Sequence, residues 1–323
     1  MAPNPNTPEQ PIHTRSRKNS RKRITLYSIL GLIVVILAVH TVMYYGFVPK
    51  QKDVYVGMKK PLNIAHQGGE DLAPSNTMAA FAIADSLEVD ALETDIHMTK
   101  DGHLVTIHDA TVDRTTNGKG RVDSYTLAEL QKLDAGYHFK DLNGQYSYRG
   151  KGVYIPTLDE VFAAYGSKYY FTVEIKESYP IGKPSEIEQK LWDLIRKYKL
   201  EDKVIMNSFD NDIVSKFSDL SGNRVPLGAG KAEVIKFVIA NKLFLPGFYR
   251  PSSQVLQIPT EDSGFNLSTK RIIENAHRLN MQVHYWTIDD KPTMKKLIEL
   301  GADGIMSNRP DLLKEVIEEM GLK

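Results

Sequence analysis

Two hydrophobic rhythms divide the chain. From Asn63 onward, short apolar runs alternate with stretches whose apolar positions recur every three to four residues. The runs Asn63–Ala65, Ala91–Ile96, Tyr170–Ile175, Lys203–Asn207, Val225–Gly228, Val255–Ile258, Gln282–Thr287 and Gly304–Ser307 predict strands. Between them Asn76–Leu87, Leu158–Tyr165, Glu186–Tyr198, Asp212–Leu220, Ala232–Lys242, Thr269–Leu279 and Thr293–Leu300 predict helices, and Asp311–Met320 predicts a last one closing the structure. Strands alternating with crossover helices over about 260 residues are the pattern and size of an α/β (β/α)8 barrel. An open doubly wound sheet would alternate similarly, but no Gly-x-Gly-x-x-Gly follows the first strand, so a dinucleotide site has no support.

The amino-terminal segment follows a different pattern. No charged residue occurs from Ile24 to Pro49, and Ile29–Val39 is almost pure Leu, Ile and Val. At 1.5 Å per residue this run spans roughly 39 Å, enough to cross a hydrocarbon core of about 30 Å with tilt. A buried core helix would show a polar face, and a signal peptide would have a shorter apolar stretch and a small-x-small cleavage site. The pattern therefore predicts a retained anchor, with Tyr44, Tyr45 and Phe47 at an interfacial belt. The expected organisation is a basic disordered arm (1–23), a single transmembrane helix (24–48), a linker (49–61) and the barrel domain (62–323).

One stretch breaks the barrel rhythm. About 75 residues separate the second and third strands, far more than one crossover needs. A hairpin from Glu93 to Asp109 opens it, and Asp101-Gly102 suits a two-residue type I′ turn. An inserted subdomain is expected at about 110–156. Its Tyr137, Tyr146 and Tyr148 could form an apolar lid or pack on one another.

Charge sharpens this division. The 41 Lys+Arg and 40 Asp+Glu sum to +1, yet residues 1–50 carry seven bases and one acid, a net +6, leaving −5 for the rest. With the bases preceding the apolar run, the positive-inside rule puts the arm in the cytoplasm and the barrel outside. A mildly acidic body disfavours a nucleic-acid partner. The absence of cysteine excludes a disulfide framework, a thiolate metal site and a thiol nucleophile.

Candidate chemistry collects at predicted strand ends, where barrels hold their sites. His66 ends the first strand, Glu93 and Asp95 the second, Glu174 the third, just before Lys176. Residues two apart share a strand face, so Glu93 and Asp95 point together. A two-residue turn would pair Asp95 with His108 and bring that imidazole to the same face, whereas a three-residue turn would not. Three carboxylates without a thiolate suit a hard cation, Mg2+ or Ca2+. Two histidines beside them suit general acid–base catalysis. His97 faces away from Asp95 and reads as structural, while His284 could line the mouth or fill the core.

The strings Ala65-His-Gln-Gly-Gly-Glu-Asp-Leu-Ala-Pro-Ser-Asn-Thr-Met-Ala-Ala-Phe81, Leu92-Glu-Thr-Asp-Ile-His-Met-Thr-Lys-Asp-Gly102, Val105-Thr-Ile-His-Asp109, Asp113-Arg-Thr-Thr-Asn-Gly118, Ile155-Pro-Thr-Leu158, Val173-Glu-Ile-Lys176, Trp286-Thr287 and Gly301-Ala-Asp-Gly304 resemble, in order, the motifs of the glycerophosphodiester phosphodiesterase family. The resemblance implies a barrel with an insertion after its second strand. It implies a catalytic pair, His66 and His108, and metal ligands Glu93, Asp95 and Glu174. Lys176 would lie near the phosphate and Trp286 would line the pocket for the alcohol or acyl portion. Ser208 and Phe209 also match the pattern. The family usually has Arg after the first His. Here Gln67 can donate hydrogen bonds to substrate but supplies no charge. Ser307-Asn308-Arg309-Pro310 replaces the usual Thr-Asp-x-Pro and reads as neutral.

The expectation is metal-dependent hydrolysis of glycerophosphodiesters to sn-glycerol 3-phosphate and an alcohol. Lysophospholipids or lipid-linked glycerophosphate units are the alternative substrates, and an inactive anchored binding module is the rival class.

Overall fold

The computed structural model describes residues 15–49, 54–55 and 57–322, with side chains from residue 22 onward. Helix α1 (Arg15–Gly46) includes the basic cluster that the sequence pattern assigned to a disordered arm. Arg and Lys are good helix formers, so the apolar helix extends through them at little cost. The rest of the arm, 1–14, and linker positions 50–53 and 56 lie outside the described residues. Within α1, Lys22–Gly46 is long and apolar enough to cross a membrane, and the side chains from Ile24 to Val39 are exposed.

The end of α1 rests on the body. Tyr44 Oη donates to Asn275 Oδ1 (3.0 Å), Arg278 donates to the Tyr44 carbonyl (2.7 Å), and the Arg250 guanidinium covers Phe47 at 4.0 Å.

The body's strands are β1 (Leu62–Ala65), β2 (Ala91–Met98), β3 (Leu104–Thr106), β4 (Tyr170–Ile175), β5 (Val204–Asn207), β6 (Val255–Ile258), a short hairpin β7 (Glu261–Asp262) and β8 (Phe265–Asn266), β9 (Gln282–Tyr285) and β10 (Gly304–Ser307). One sheet runs β5-β4-β2-β1-β10-β9-β6, with parallel neighbours throughout. Leu227 and Gly228 bridge in parallel to Met206 of β5 and Val255 of β6, so the expected strand Val225–Gly228 supplies the eighth stave as two bridges.

The helices are α2 (Met78–Ser86), α3 (Leu127–Leu130), α4 (Leu158–Tyr165), α5 (Ile187–Tyr198), α6 (Asn211–Ser221), α7 (Lys231–Lys242), α8 (Lys270–Arg278), α9 (Lys291–Leu300) and α10 (Pro310–Glu319). All but α3 follow a stave of the barrel, giving the (β/α)8 order. Their starts are written in the sequence: Thr157 caps α4 in a reciprocal box with Glu160, and Asp290 caps α9 from just before its Pro292.

Between sheet and helices lie two apolar clusters, one around Phe81, Phe171 and Phe217, the other around Phe237, Tyr285 and Leu313. A third, smaller cluster fills the barrel floor. There Ile64, Ala91, Ile205, Val255 and Met306 meet Val54 and Tyr55, which enter from the expected linker. Tyr55 is 3% exposed and its hydroxyl donates to the Phe171 carbonyl at 2.6 Å.

The insertion has a core of its own, from Val105, Ile107, Val112, Val122, Leu130, Ala135 and Ile155. Two of its tyrosines flank one cation: the Arg149 guanidinium lies 3.6 Å from the Tyr146 ring centre and 4.4 Å from that of Tyr137. Phe139 meets Tyr148 edge-on.

The hairpin departs from expectation. Ile96 pairs with Thr106 and Met98 with Leu104, and Thr99 N–H donates to the His103 carbonyl, leaving a three-residue loop, 100–102. A type I′ turn needs positive φ at both central residues, and of this pair Gly102 alone has it. Asp101 instead uses its carboxylate to accept from Thr99 Oγ1 and Leu127 N–H, tying the hairpin to α3.

Candidate active site

Parallel pairing sets Asp95 of β2 against Glu174 of β4, and the two-residue repeat adds Glu93 to the same inward face. Oxygens of all three carboxylates lie within 4.8 Å of one another. Lys176 follows β4 and places Nζ 3.0 Å from Glu174 Oε1 and 3.3 Å from Asp95 Oδ1. These four line a cavity of about 200 Å3 together with His66, His108 and Trp286.

Crowded like charges in a dry site shape the electrostatics. Burial, then the Asp95 charge, raises the Glu93 carboxyl well above its ordinary range, opposed by the Gln67 backbone N–H. Burial and Asp95 also raise Glu174, against the pull of Lys176. Burial pushes Asp95 upward too, but Lys176, His108, His66 and Asn76 outweigh it and hold that carboxyl low. Asn76 has φ +57 and is buried. It donates to Asp95 Oδ2 (3.0 Å) while its Oδ1 accepts from Thr94 Oγ1, which fixes the carboxylate's direction.

The histidines enter from different elements with different partners. His66 Nδ1 lies 2.7 Å from Asn308 Oδ1, and Asn308 Nδ2 donates to Asp289 Oδ2. The amide is thus oriented with its oxygen toward the imidazole, so Nδ1 carries the hydrogen and Nε2, 3.9 Å from Glu93 Oε2, keeps a lone pair. His108 Nδ1 instead meets a carboxylate, Asp109 Oδ1, at 2.7 Å. Arg114 clamps that carboxylate through Nε (2.7 Å) and spans to Glu70 (2.9 Å).

His108 reaches the cavity, but not by strand register. The observed pairing would send its side chain to the face opposite Asp95. The chain leaves β3 after Thr106, however, and buried His97 holds the His108 carbonyl with Nε2 at 3.0 Å. His97 is structural, as expected, and its task is to position that turn. Its other nitrogen lies 2.5 Å from Tyr179 Oη.

Gln67 occupies a left-handed conformation (φ 51°), is buried, and does not line the cavity. Its backbone N–H, rather than its side chain, serves the site by donating to Glu93 Oε2 at 2.7 Å. Trp286 lines the cavity and meets Phe209 edge-on at 5.8 Å. Ser208 turns inward, donating to the Ile175 carbonyl. His284 is fully buried on β9, paired with Gly304 of β10.

Sequence reasoning passed over Asn76, Asp109, Arg114 and Asn308. The first three stand inside motifs that were quoted for their neighbours, and Asn308 read as a neutral replacement.

The glycerophosphoryl diester phosphodiesterase family matches residues 66–312. A glycerophosphodiester phosphodiesterase of Caldanaerobacter subterraneus subsp. tengcongensis is 35% identical over 269 residues, covering 81% of this chain and all of that one. A crystal structure of a glycerophosphodiester phosphodiesterase from Agrobacterium tumefaciens aligns with a TM-score of 0.62 at 23% identity, over 78% of this chain and 98% of that one. An Oleispira antarctica phosphodiesterase, solved with the product sn-glycerol-3-phosphate, aligns with a TM-score of 0.59 at 24% identity, over 85% and 99%.

Proposed function

The chain belongs to the glycerophosphoryl diester phosphodiesterase family, and we propose that it is a membrane-anchored, metal-dependent hydrolase of glycerophosphodiesters, releasing sn-glycerol 3-phosphate and an alcohol. The observation that carries this reading is the set of three clustered carboxylates beside two differently partnered histidines.

Glu93, Asp95 and Glu174 fit a divalent cation. They offer only oxygen, and their mutual repulsion is what a bound Mg2+ or Ca2+ would relieve. When bound, such an ion polarises phosphoryl oxygens and neutralises charge in the transition state. Lys176 adds a positive charge beside the phosphate, and Trp286 packs against the organic portion.

His66 acts as general base. Asn308 fixes its protonated nitrogen, and Nε2 faces the cavity ready to take the nucleophile's proton. His108 acts as general acid: the Asp109 carboxylate holds its Nδ1, and the ring delivers a proton to the leaving alcohol.

Helix α1 holds the barrel domain, 62–323 with its insertion at about 110–156, at the bilayer. The basic residues before the span support, by the positive-inside rule, an amino terminus in the cytoplasm and a catalytic domain outside.

Choline release from glycerophosphocholine by the full-length chain tests the reading, with and without EDTA and in His66→Ala. Chelation should abolish turnover reversibly and the variant should lose about 10³-fold. Metal-independent hydrolysis, or full activity in His66→Ala, would refute it.

A further inference from the structure

The outer side of α7 is unlike that of a barrel helix facing water. Its exposed residues are Lys231, Ala232, Ile235, Lys236, Ile239 and Lys242, so isoleucines stand among lysines and no acid appears. The helix's one carboxylate, Glu233, is buried and accepts from Tyr249, Ser252 and Ser253. Ile235, Ile239 and Leu243 stand four residues apart, and Phe244 and Phe248 prolong the strip. Leu243 and Phe244 are 63% and 71% exposed. Phe244 also has φ 57°, a left-handed conformation that at a helix end usually falls to glycine. A bulky ring held there is strained, and folding alone does not call for it. Arg271 stands 4.4 Å over that ring, and Lys242 stands over the ring of Phe265 in the β7–β8 hairpin. Aliphatic and aromatic groups edged by cations are the make-up of a surface lying in a bilayer interface.

The anchor sets the depth of this strip. The 3-10 turn Pro246–Phe248 presses on α1: the Phe248 ring lies 5.7 Å from that of His40, and Arg250 reaches Met43 Sδ at 3.4 Å. Gly247 makes the approach possible, since a Cβ there would stand 2.7 Å from the His40 carbonyl oxygen. His40 belongs to the uncharged run Ile24–Pro49 and lies eight residues before Val48. That is roughly 12 Å of helix inside the end of the expected span. If the body stood clear of the bilayer at His40, only Ile24–Val39 would remain to cross it. That stretch is roughly 24 Å long, short of a hydrocarbon core of about 30 Å. With α1 spanning, the turn and the strip beside it have to enter the interface.

Resting on the anchored reading above, we propose that the α7 strip from Ile235 to Phe248 is a second membrane-binding surface. It sits at the boundary of headgroups and acyl chains in the bilayer that α1 crosses, with Lys236, Lys242 and Arg271 at lipid phosphates. The barrel is then held at two places and keeps this flank on the membrane, in one orientation, instead of swinging on the end of α1.

The chain has no cysteine, so a single introduced one reports one position. Four variants of the full-length chain are labelled with an environment-sensitive fluorophore in phosphatidylcholine–phosphatidylglycerol proteoliposomes. Phe244→Cys and Leu243→Cys probe the strip, Val35→Cys the span, and Ser86→Cys an exposed position on α2, across the barrel from α7. Nitroxide lipids and aqueous iodide quench each label in turn, and circular dichroism checks folding. Strip labels should lose about half their emission or more to nitroxide lipids and be shielded from iodide, whereas Ser86→Cys should respond to iodide alone. Leu243→Cys carries the measurement should the change at Phe244 disturb the helix end. Strip labels that behave like Ser86→Cys, while lipid quenches Val35→Cys, overturn this inference and leave the anchor standing. Strip labels shielded from both quenchers would mean that a second copy of the chain covers them, which overturns it equally. A Val35→Cys label that lipid does not quench sinks the anchored reading and this proposal with it.

Discussion

The two ends of the barrel are built from the same strands on opposite principles. At the mouth, Glu93, Asp95 and Glu174 crowd like charges into a largely dry space, with Lys176 against two of them. At the floor, Tyr55, Ile64, Ile205 and Val255 close a fully packed plug, with the Tyr55 and Tyr170 rings 4.7 Å apart. They meet at Thr172, which lines the carboxylate cavity and whose Oγ1 lies 3.3 Å from Tyr55 Oη. The mouth is costly to fold and exists for chemistry. The floor has no reacting group and supplies part of the stability that the mouth consumes.

The largest effect should come from removing one side chain at each end. Glu93→Ala deletes a carboxylate whose neighbours repel it, so turnover of glycerophosphocholine should fall at least about 10³-fold while the thermal midpoint holds or rises. Tyr55→Ala should do the opposite: a cavity in the floor costs about 3–5 kcal/mol of unfolding free energy, with kcat per folded molecule nearly retained. A Glu93→Ala protein that unfolds early, or a Tyr55→Ala protein as stable as wild type, would erase the distinction between the ends.

A pH experiment sharpens it. Burial, the dominant influence, lowers the His284 imidazole from its ordinary 6.5 to about 4. Between those values the unfolded chain binds a proton that the folded one refuses. Stability from this residue is therefore complete above pH 6.5 and lost as pH falls toward 4, by about 3 kcal/mol in all. Urea midpoints of the wild type should drop over that window by more than those of His284→Gln. Equal acid sensitivity in both proteins would mean that the floor imidazole is not the group responsible.

The mouth was far more legible in the sequence than the floor, for physical reasons. Chemistry needs particular atoms, so Glu93, Asp95, His66 and Glu174 stand in recognisable strings at strand ends. Packing needs only volume and polarity, and nothing in the composition of the linker marks Tyr55 as the stopper of a barrel. The hairpin shows a subtler failure. Asp101-Gly102 satisfies a turn rule, but Asp101 is more useful bonding Thr99 and Leu127 than adopting a left-handed backbone, and the register shifts accordingly. His108 does line the cavity, but not for the reason that strand register offered. Tertiary contact with His97, invisible to local patterning, sets its place.

The smallest predicted effect falls on a side chain that the sequence made look neutral. Asn308 touches His66 with its oxygen while Asp289 holds its amide nitrogen and backbone N–H. Ser307 Oγ also donates to Asp289, so the amide has no freedom to turn its nitrogen toward the imidazole. This arrangement selects the tautomer with Nε2 unprotonated, the form a general base requires. Asn308→Ala leaves the carboxylates, Lys176 and His108 in place and removes only that selection. An imidazole without a partner on Nδ1 divides between two tautomers and loses orientation, so kcat/KM should fall by about tenfold, roughly 1.4 kcal/mol of transition-state stabilisation. The thermal midpoint should move little, because His66 and Asn308 lie at the part-buried rim of the mouth. Asn308→Gln, too long to keep its oxygen on Nδ1 while bonded to Asp289, should behave like the alanine variant. Wild-type kcat/KM in both would show that His66 needs no such orientation and would remove the physical basis for assigning it the base's role.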